Sequence, residues 1–512
     1  MRMGVTALLL TLFAPLIGAA AVLFIGRNQE RAIRVVTLLI SLCTLGISAL
    51  LLPEFNSASH QMQFVVDVPW IAALDTGFRI GLDGTNLLMV LLTTFIMPIA
   101  LLAGWKGITQ RVKEFNVLML MLQFAMTGVF VALDTFLFYV FWELILIPMA
   151  LIIGIWGGNE RIYASVKFFI YTLVGSLLML IAIIWLGFAA EAQGIGFTAD
   201  LIKLRSVAPN IPSNIQFWLF LAFALSFFIK VPLFPVHTWL PDAHTQAPTA
   251  GSVVLASLLL KLGAYGLIRF NLELFPQTSV ALASALSVLA VVGIIYGALV
   301  AMVQTDMKRL IAYSSVSHMG FVVLGIFSLT VEGVQGAVIQ MVNHGITTGA
   351  LFICIGVLYE RRHTREIADY GGVTSVMPRF AVLFTIAMFG SIGLPGLNGF
   401  VGEYLTLLGS FRSPFLNNWA YAIAATSGVI FAACYLLWLF KRLMYGKNNN
   451  PANHHLRDLT RLEYWQLVPL TIVMIWIGMA PRTVMSYAEQ SVRNVVQNIE
   501  NITFTRTAHN QP

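Results

Sequence analysis

The sequence predicts an all-α polytopic membrane protein of about fourteen transmembrane helices. Three observations lead there. Of its 512 residues, 58% are hydrophobic and only 10% charged, where soluble domains carry about 25% charged residues. Mean hydropathy is +0.83. The apolar runs last about 20 residues and are nearly free of charge, the length a helix needs to cross a bilayer; barrel strands would be about 10 residues long with strict alternation. In lipid, only helices and closed barrels satisfy their own backbone.

Read in order, the spans fall at 4–25, 33–52, 82–103, 115–133, 136–156, 163–189 and 216–236, then 250–270, 279–301, 309–329, 333–358, 380–410, 418–440 and 464–480. The opening MRMGVTALLLTLFAPLIGAAAVLF stays apolar past its small residues. That is too long for the apolar core of a signal peptide, so it reads as the first span. The longest connections run over Pro53–Gly81, Glu191–Ile215 and Tyr445–Leu462, too short for a separate catalytic domain. Of the 30 Lys and Arg, 19 fall in the odd-numbered connections. The positive-inside rule then puts those connections in the cytoplasm and both termini outside. The net charge of +7 reads as topology and contact with anionic lipid, not nucleic-acid binding.

Cys43, Cys354 and Cys434 stand singly in apolar runs, with no spacing suited to zinc or an iron–sulfur cluster. No Walker loop is present, and GLPGLNG lies between membrane segments without a βαβ context. Metal ligation and nucleotide chemistry are not expected in this chain.

The informative residues are the costly ones. A charge at mid-helix costs roughly 2.5–3.5 kcal/mol even on lenient insertion scales. Glu143 (FYVFWELILIP), Lys230 (LSFFIKVPLF), Lys261 (ASLLLKLGAYG) and Glu403 (GFVGEYLTLL) incur it, and His318 and His344 join them at mid-span. One static ion pair would account for Glu143 with Lys230, but not for the other four. A lysine out of water is destabilised as a cation and gives up its proton more readily, and a nearby carboxylate restores the charged form. Histidine titrates near neutrality and suits a relay. The set reads as a proton path across the middle of the protein. The competing reading is a scaffold whose buried charges only fix helix packing.

Two spans carry breaks. The seventh is interrupted at Pro232 and Pro235, just after Lys230. The twelfth is interrupted around Pro395 and Gly396, just before Glu403. Irregular backbone at membrane depth is tolerated only where it is buried or lines a wet cavity, and paired broken helices point to inverted repeats. The breaks are five spans apart, an odd number, so the related units would be inverted. The expected organisation is a three-helix region over 1–114, a five-helix repeat over 115–270, an inverted repeat over 271–440, and a last helix with a tail over 441–512.

The stretches FLFYVFWELILIPM, KFFIYT, KVPLFPVHTWLPDAHTQAPTAGSVVLASLLLKLGAYGL, QTDMKRLIAYSSVSHMGF and GLPGLNGFVGEYLTLLGSF resemble the antiporter-like membrane subunits of respiratory complex I, the proton-pumping NADH–quinone oxidoreductase. Within that family the likeness is to the subunit M (mitochondrial chain 4) type. Glu403 stands where the L and N types resemble each other in having lysine. The chain also ends about 30 residues after its last span, without the long lateral helix of the L type. The resemblance implies fourteen helices with two inverted five-helix repeats. It implies proton translocation driven by quinone reduction elsewhere, with FMN, iron–sulfur clusters and quinone in other subunits. L-type and N-type subunits would be its neighbours, and a bacterial inner membrane its location, with a mitochondrial-type membrane as the alternative. It maps the family's proton-path residues onto Glu143, Lys230, Lys261, His318, His344 and Glu403. His237, Asp242 and His244 fall in the matching loop after the seventh span, where ordinary loop hydrogen bonding and an auxiliary role on the path are both open, and Asp134 is a further candidate auxiliary. The alternative within the same fold is a subunit of a cation/proton antiporter or a membrane-bound hydrogenase.

Overall fold

A computed structural model describes residues 2–446, 448 and 450–509. Among the described residues, thirteen helices are long and apolar enough to cross a membrane. A fourteenth span is built from two shorter helices, Pro378–Ile392 and Asn398–Arg412. The fourteen expected crossings are therefore present, close to the expected bounds.

Burial sorts the spans. The eighth (Thr249–Leu272) and eleventh (Val331–Arg362) have fully buried apolar windows, and the tenth (Met307–Phe327) is 94% buried. The sixth (Arg161–Ala192) and ninth (Pro276–Met302) are only 44% buried and turn apolar faces such as Ile170, Val174, Ile181 and Val292 outward. A helix hydrophobic all round belongs in the interior or in lipid. Lys261, His318 and His344 sit on the three innermost spans.

The breaks follow from missing donors. Pro232 cannot donate to Phe228 O, and Leu233 N takes that carbonyl instead at 2.9 Å. The helix Ser213–Lys230 stops there. The freed carbonyl of Ile229 is satisfied by Trp239 Nε1 at 2.8 Å, from the next short helix, Trp239–Gln246. In the twelfth span Gly393, at φ 84°, ends the first half. Leu394 N closes back on Phe389 O at 3.1 Å, the Schellman pattern that favours glycine. Asn343 of the eleventh span holds the second half in place, its Nδ2 donating to Asn398 O at 2.7 Å.

Four features depart from the sequence reading. The connection at 53–81 carries a β-hairpin that was not expected, β1 (Gln63–Ile71) and β2 (Thr76–Leu82), on an otherwise helical membrane bundle. Its cross-strand pairs hide in a segment too short and irregular to show alternation. The third span starts at Gly84 rather than 82, because Asp83 caps it with a capping box to Asn86. The tail is a helix, Arg482–His509. Ala488, Val492, Val495, Val496 and Ile499 form its buried stripe, and Ser491 Oγ accepts from Gly84 N at 2.9 Å. Finally, the fifth span is itself interrupted at Ile145, between Thr135–Leu144 and Leu146–Trp156. Pro148 lacks the N–H that would bond Leu144 O.

Candidate functional site

The chain centre holds a line of polar side chains on facing helices. Lys261 follows a π-helical stretch, Leu255–Leu259, in the eighth span. Such wide turns expose carbonyls that the α-helical ladder would use, and they occur frequently at functional sites. Lys261 Nζ donates to Ala256 O, one of those carbonyls, and lies 2.7 Å from Nδ1 of His344. The π stretch is itself pinned to the eleventh span, where Ser257 Oγ donates to Gly345 O at 2.7 Å.

The imidazole centroids of His344 and His318 are 6.0 Å apart. His318 Nδ1 lies 2.7 Å from Oε1 of Glu403. Its Nε2 faces Tyr435 OH at 3.2 Å and Ser391 Oγ at 3.5 Å. Gln340 Nε2 donates to the same Glu403 oxygen at 3.2 Å. Gly393, at the break, packs so closely that an added Cβ would lie 3.0 Å from Glu403 Oε2. The break in the twelfth span thus delivers the carboxylate against backbone. Lys261 is 0% exposed, His318 and His344 2%, and Glu403 3%.

Glu143 and Lys230 form a second, separate group. Lys230 is 2% exposed and its Nζ has no hydrogen-bond partner among the described residues. It sits over the indole of Trp142, 3.8 Å from the centroid, a cation–π contact. Glu143 lies at the interruption of the fifth span and acts on Lys230 through its charge, with no ion pair between them among the described residues. The two groups meet where the eighth span crosses the seventh. An added Cβ at Gly263 would lie 2.5 Å from Phe227 O and 3.0 Å from Val231 N, so glycine lets the helices approach closely just where the seventh breaks.

The auxiliary residues divide. His244 is buried beside the central line, stacked on Phe352 with centroids 4.7 Å apart. His237 is buried and stacks on Phe234. Asp242 is paired with Lys167 at 2.7 Å at the Lys/Arg-rich end of the bundle. Asp134 lies at the opposite end, capping the fifth span by accepting from Phe136 N and Leu137 N and from Arg79 at 3.3 Å. Burial pushes its carboxyl above the usual value even against those donors.

Two groups of residues were not foreseen. Trp142, Gln340 and Tyr435 are ordinary apolar-span residues by sequence, and only packing reveals their partners. At the hairpin end, buried Arg269 pairs with Asp83 at 2.6 Å and Glu273 at 3.1 Å, and Arg205 meets the other Glu273 oxygen. The arginine in GLIRFNLE was a legible signal for this cluster. Among the described residues no group of three or more His, Cys, Asp or Glu could hold a metal ion.

Residues 132–431 match the family described as NADH:quinone oxidoreductase/Mrp antiporter, TM. NADH-quinone oxidoreductase subunit M of Rhodobacter capsulatus is 46% identical over 501 residues, covering 95% of both chains. Among solved structures, a chain of respiratory complex I from Thermus thermophilus superposes with a TM-score of 0.84 at 30% identity, over 96% of this chain and 99% of that one. A chain of the Mrp complex from Dietzia sp. gives 0.84 at 18% identity, over 98% and 99%, which shows a shared fold alone. With the family match over more than half its length and relatives aligned nearly end to end, the chain belongs to the NADH:quinone oxidoreductase/Mrp antiporter membrane family.

Proposed function

We propose that this chain is an M-type membrane subunit of an NADH–quinone oxidoreductase that translocates protons, with quinone reduction elsewhere in the complex as the driving reaction. The observation that carries the reading is the buried line from Lys261 through His344 and His318 to Glu403, which has contacts of 2.7 Å at both ends. These groups exchange protons without a metal or redox centre. Lysine and histidine can each hold or release one, and Glu403 accepts at the break of the twelfth span. Glu143 and Lys230 form the preceding stage. The two breaks, five spans apart, support a pair of inverted five-helix units over 115–270 and 271–440.

FMN, iron–sulfur clusters and quinone belong, on this reading, to partner subunits, with L-type and N-type chains as membrane neighbours. The Lys/Arg-rich end faces the cytoplasm of a bacterial inner membrane, and the termini lie on the opposite side. The family's description spans NADH:quinone oxidoreductase and Mrp antiporter alike, which leaves the second reading, a cation/proton antiporter subunit. Purification from the native membrane separates the two. Flavin and iron–sulfur subunits should co-isolate with this chain, and their absence from an intact assembly would reject the first reading.

A further inference from the structure

A second feature reaches the central line from the Lys/Arg-rich end. There a cavity of about 130 Å³ is lined by Ala247, Lys308, Phe352 and Arg365, among others. Lys308, at the start of the tenth span, is only 8% exposed. Its Nζ donates to Ala247 O, just past the short helix Trp239–Gln246 that follows the break after Lys230. Arg365 donates to Thr245 O on the same turn. Arg365 also pairs with Asp306 at 3.2 Å, whereas Lys308 has no carboxylate within ion-pair distance among the described residues.

Behind this wall lies His244. It is 0% exposed, and neither ring nitrogen has a hydrogen-bond partner among the described residues. One face of its ring lies on Phe352, itself a wall of the cavity. Lys308 and Lys261 are the cations near enough to act on its charge, and it acts in turn on His344. A buried imidazole with two unpartnered nitrogens is costly unless those nitrogens have a task. This one is within electrostatic reach of a lysine at a cavity and of a lysine at the centre.

We infer that Lys308 is a port residue that loads the Lys261–His344 pair directly from the Lys/Arg-rich side through His244, by a route that bypasses Glu143 and Lys230. In each transfer the Lys308 ammonium releases Ala247 O and gives one proton to a ring nitrogen of His244. The opposite nitrogen gives up its proton to the neutral amine of Lys261. The amine left at Lys308 is reprotonated from the aqueous phase at the cavity. The net result is one proton moved, with Lys308 restored and His244 left as its other tautomer, which a turn of the ring resets before the next transfer. The inference rests on the proton-translocating reading above.

The test uses the intact complex reconstituted in lipid vesicles, with proton uptake followed during quinone reduction. Lys308→Met and Lys308→Arg are compared with Lys261→Met. Arginine keeps the charge and the bond to Ala247 O but does not deprotonate in proteins. Both Lys308 variants should therefore pump several-fold more slowly than wild type. Wild-type pumping by Lys308→Arg would reduce Lys308 to a structural cap and overturn the proposal. If Lys261→Met pumps slowly while both Lys308 variants are normal, the port alone is wrong. If Lys261→Met is also normal, the functional reading itself fails. Should the Lys308 variants not assemble, His244→Phe decides: a several-fold loss supports the route, and normal pumping overturns it.

Discussion

His318 Nδ1 and Glu403 Oε1 lie 2.7 Å apart, and both side chains are almost wholly buried. The contact joins the tenth span to the second half of the broken twelfth. Its position depends on Gly393 ending the first half in a left-handed turn and on Asn343 holding the start of the second.

Glu403→Gln keeps an oxygen for Gln340 to bond but removes the carboxylate that, on the proposed path, takes a proton from His318. The expected result is an assembled complex whose proton pumping falls roughly ten-fold or more, since positioned acid–base groups typically contribute 10²–10⁴-fold. Vesicle acidification measured with quinone reduction is the check, and wild-type pumping would remove Glu403 from the path.

Lys261→Met replaces a buried amine with an apolar chain of similar length and so removes the cost of keeping a polar group out of water. It leaves His344 Nδ1 without its 2.7 Å partner, at a cost of about 1–3 kcal/mol. Thermal unfolding of the assembled complex should shift by no more than that cost allows, while pumping collapses. A variant that lost stability and kept pumping would support the scaffold reading instead.

Trp142 presents its ring to Lys230 at 3.8 Å, a contact worth about 2 kcal/mol when desolvated. Trp142→Phe keeps a ring face and Trp142→Leu does not, although both reduce volume. Pumping should fall in the order tryptophan, phenylalanine, leucine. Equal losses in the two variants would point to packing alone.

At the hairpin, Asp75 accepts from Lys203 at 2.6 Å, from Thr198 at 2.7 Å and from Arg79 at 2.7 Å. Partial burial pushes its carboxyl up, but these donors outweigh that effect and hold it at about 2, below the ordinary 3.8. A carboxyl depressed in the folded state stabilises fully above its ordinary value and loses that contribution as pH falls through the folded one. Protection of the Thr76–Leu82 amides, taken relative to the intrinsic exchange rate at each pH, should thus show no Asp75-dependent change between neutral pH and about pH 4, and should fall as pH falls towards 2. Asp75→Asn should show the faster exchange already at neutral pH. Slow exchange in that variant would count against the tie.

Much of this was legible in the chain because lipid makes errors expensive. A charge within twenty apolar residues stands out, so Lys230, Lys261 and Glu403 could be singled out before any geometry was known. Pro232, Pro235 and Pro395 announced their breaks by the donors they lack. Pro148 followed the same rule, but in LILIPMALII its apolar surroundings hid the interruption beside Glu143. The π-helical turns before Lys261 leave no mark, because leucine and serine suit either kind of turn. Partners such as Tyr435 and Gln340 become visible only when helices far apart in sequence are packed. The hairpin was missed for a different reason: β1 has a register shift between Gln63 and Val66 and another near Pro69, which spoil the alternation that would reveal it.

The separation between Lys230 and the line that begins at Lys261 has an energetic consequence. A membrane that stores a proton gradient is discharged by any conductor reaching from face to face, however slow. If hydrogen bonds ran unbroken from Glu143 to Glu403, the same residues that charge the membrane would short-circuit it whenever quinone reduction stopped. On the proposed path, Lys230 rests on an indole rather than bonded to the next carrier, and neither ring nitrogen of His244 is bonded to a lysine among the described residues. Both routes into the line are then open circuits at rest, and a stored potential would not drain through either.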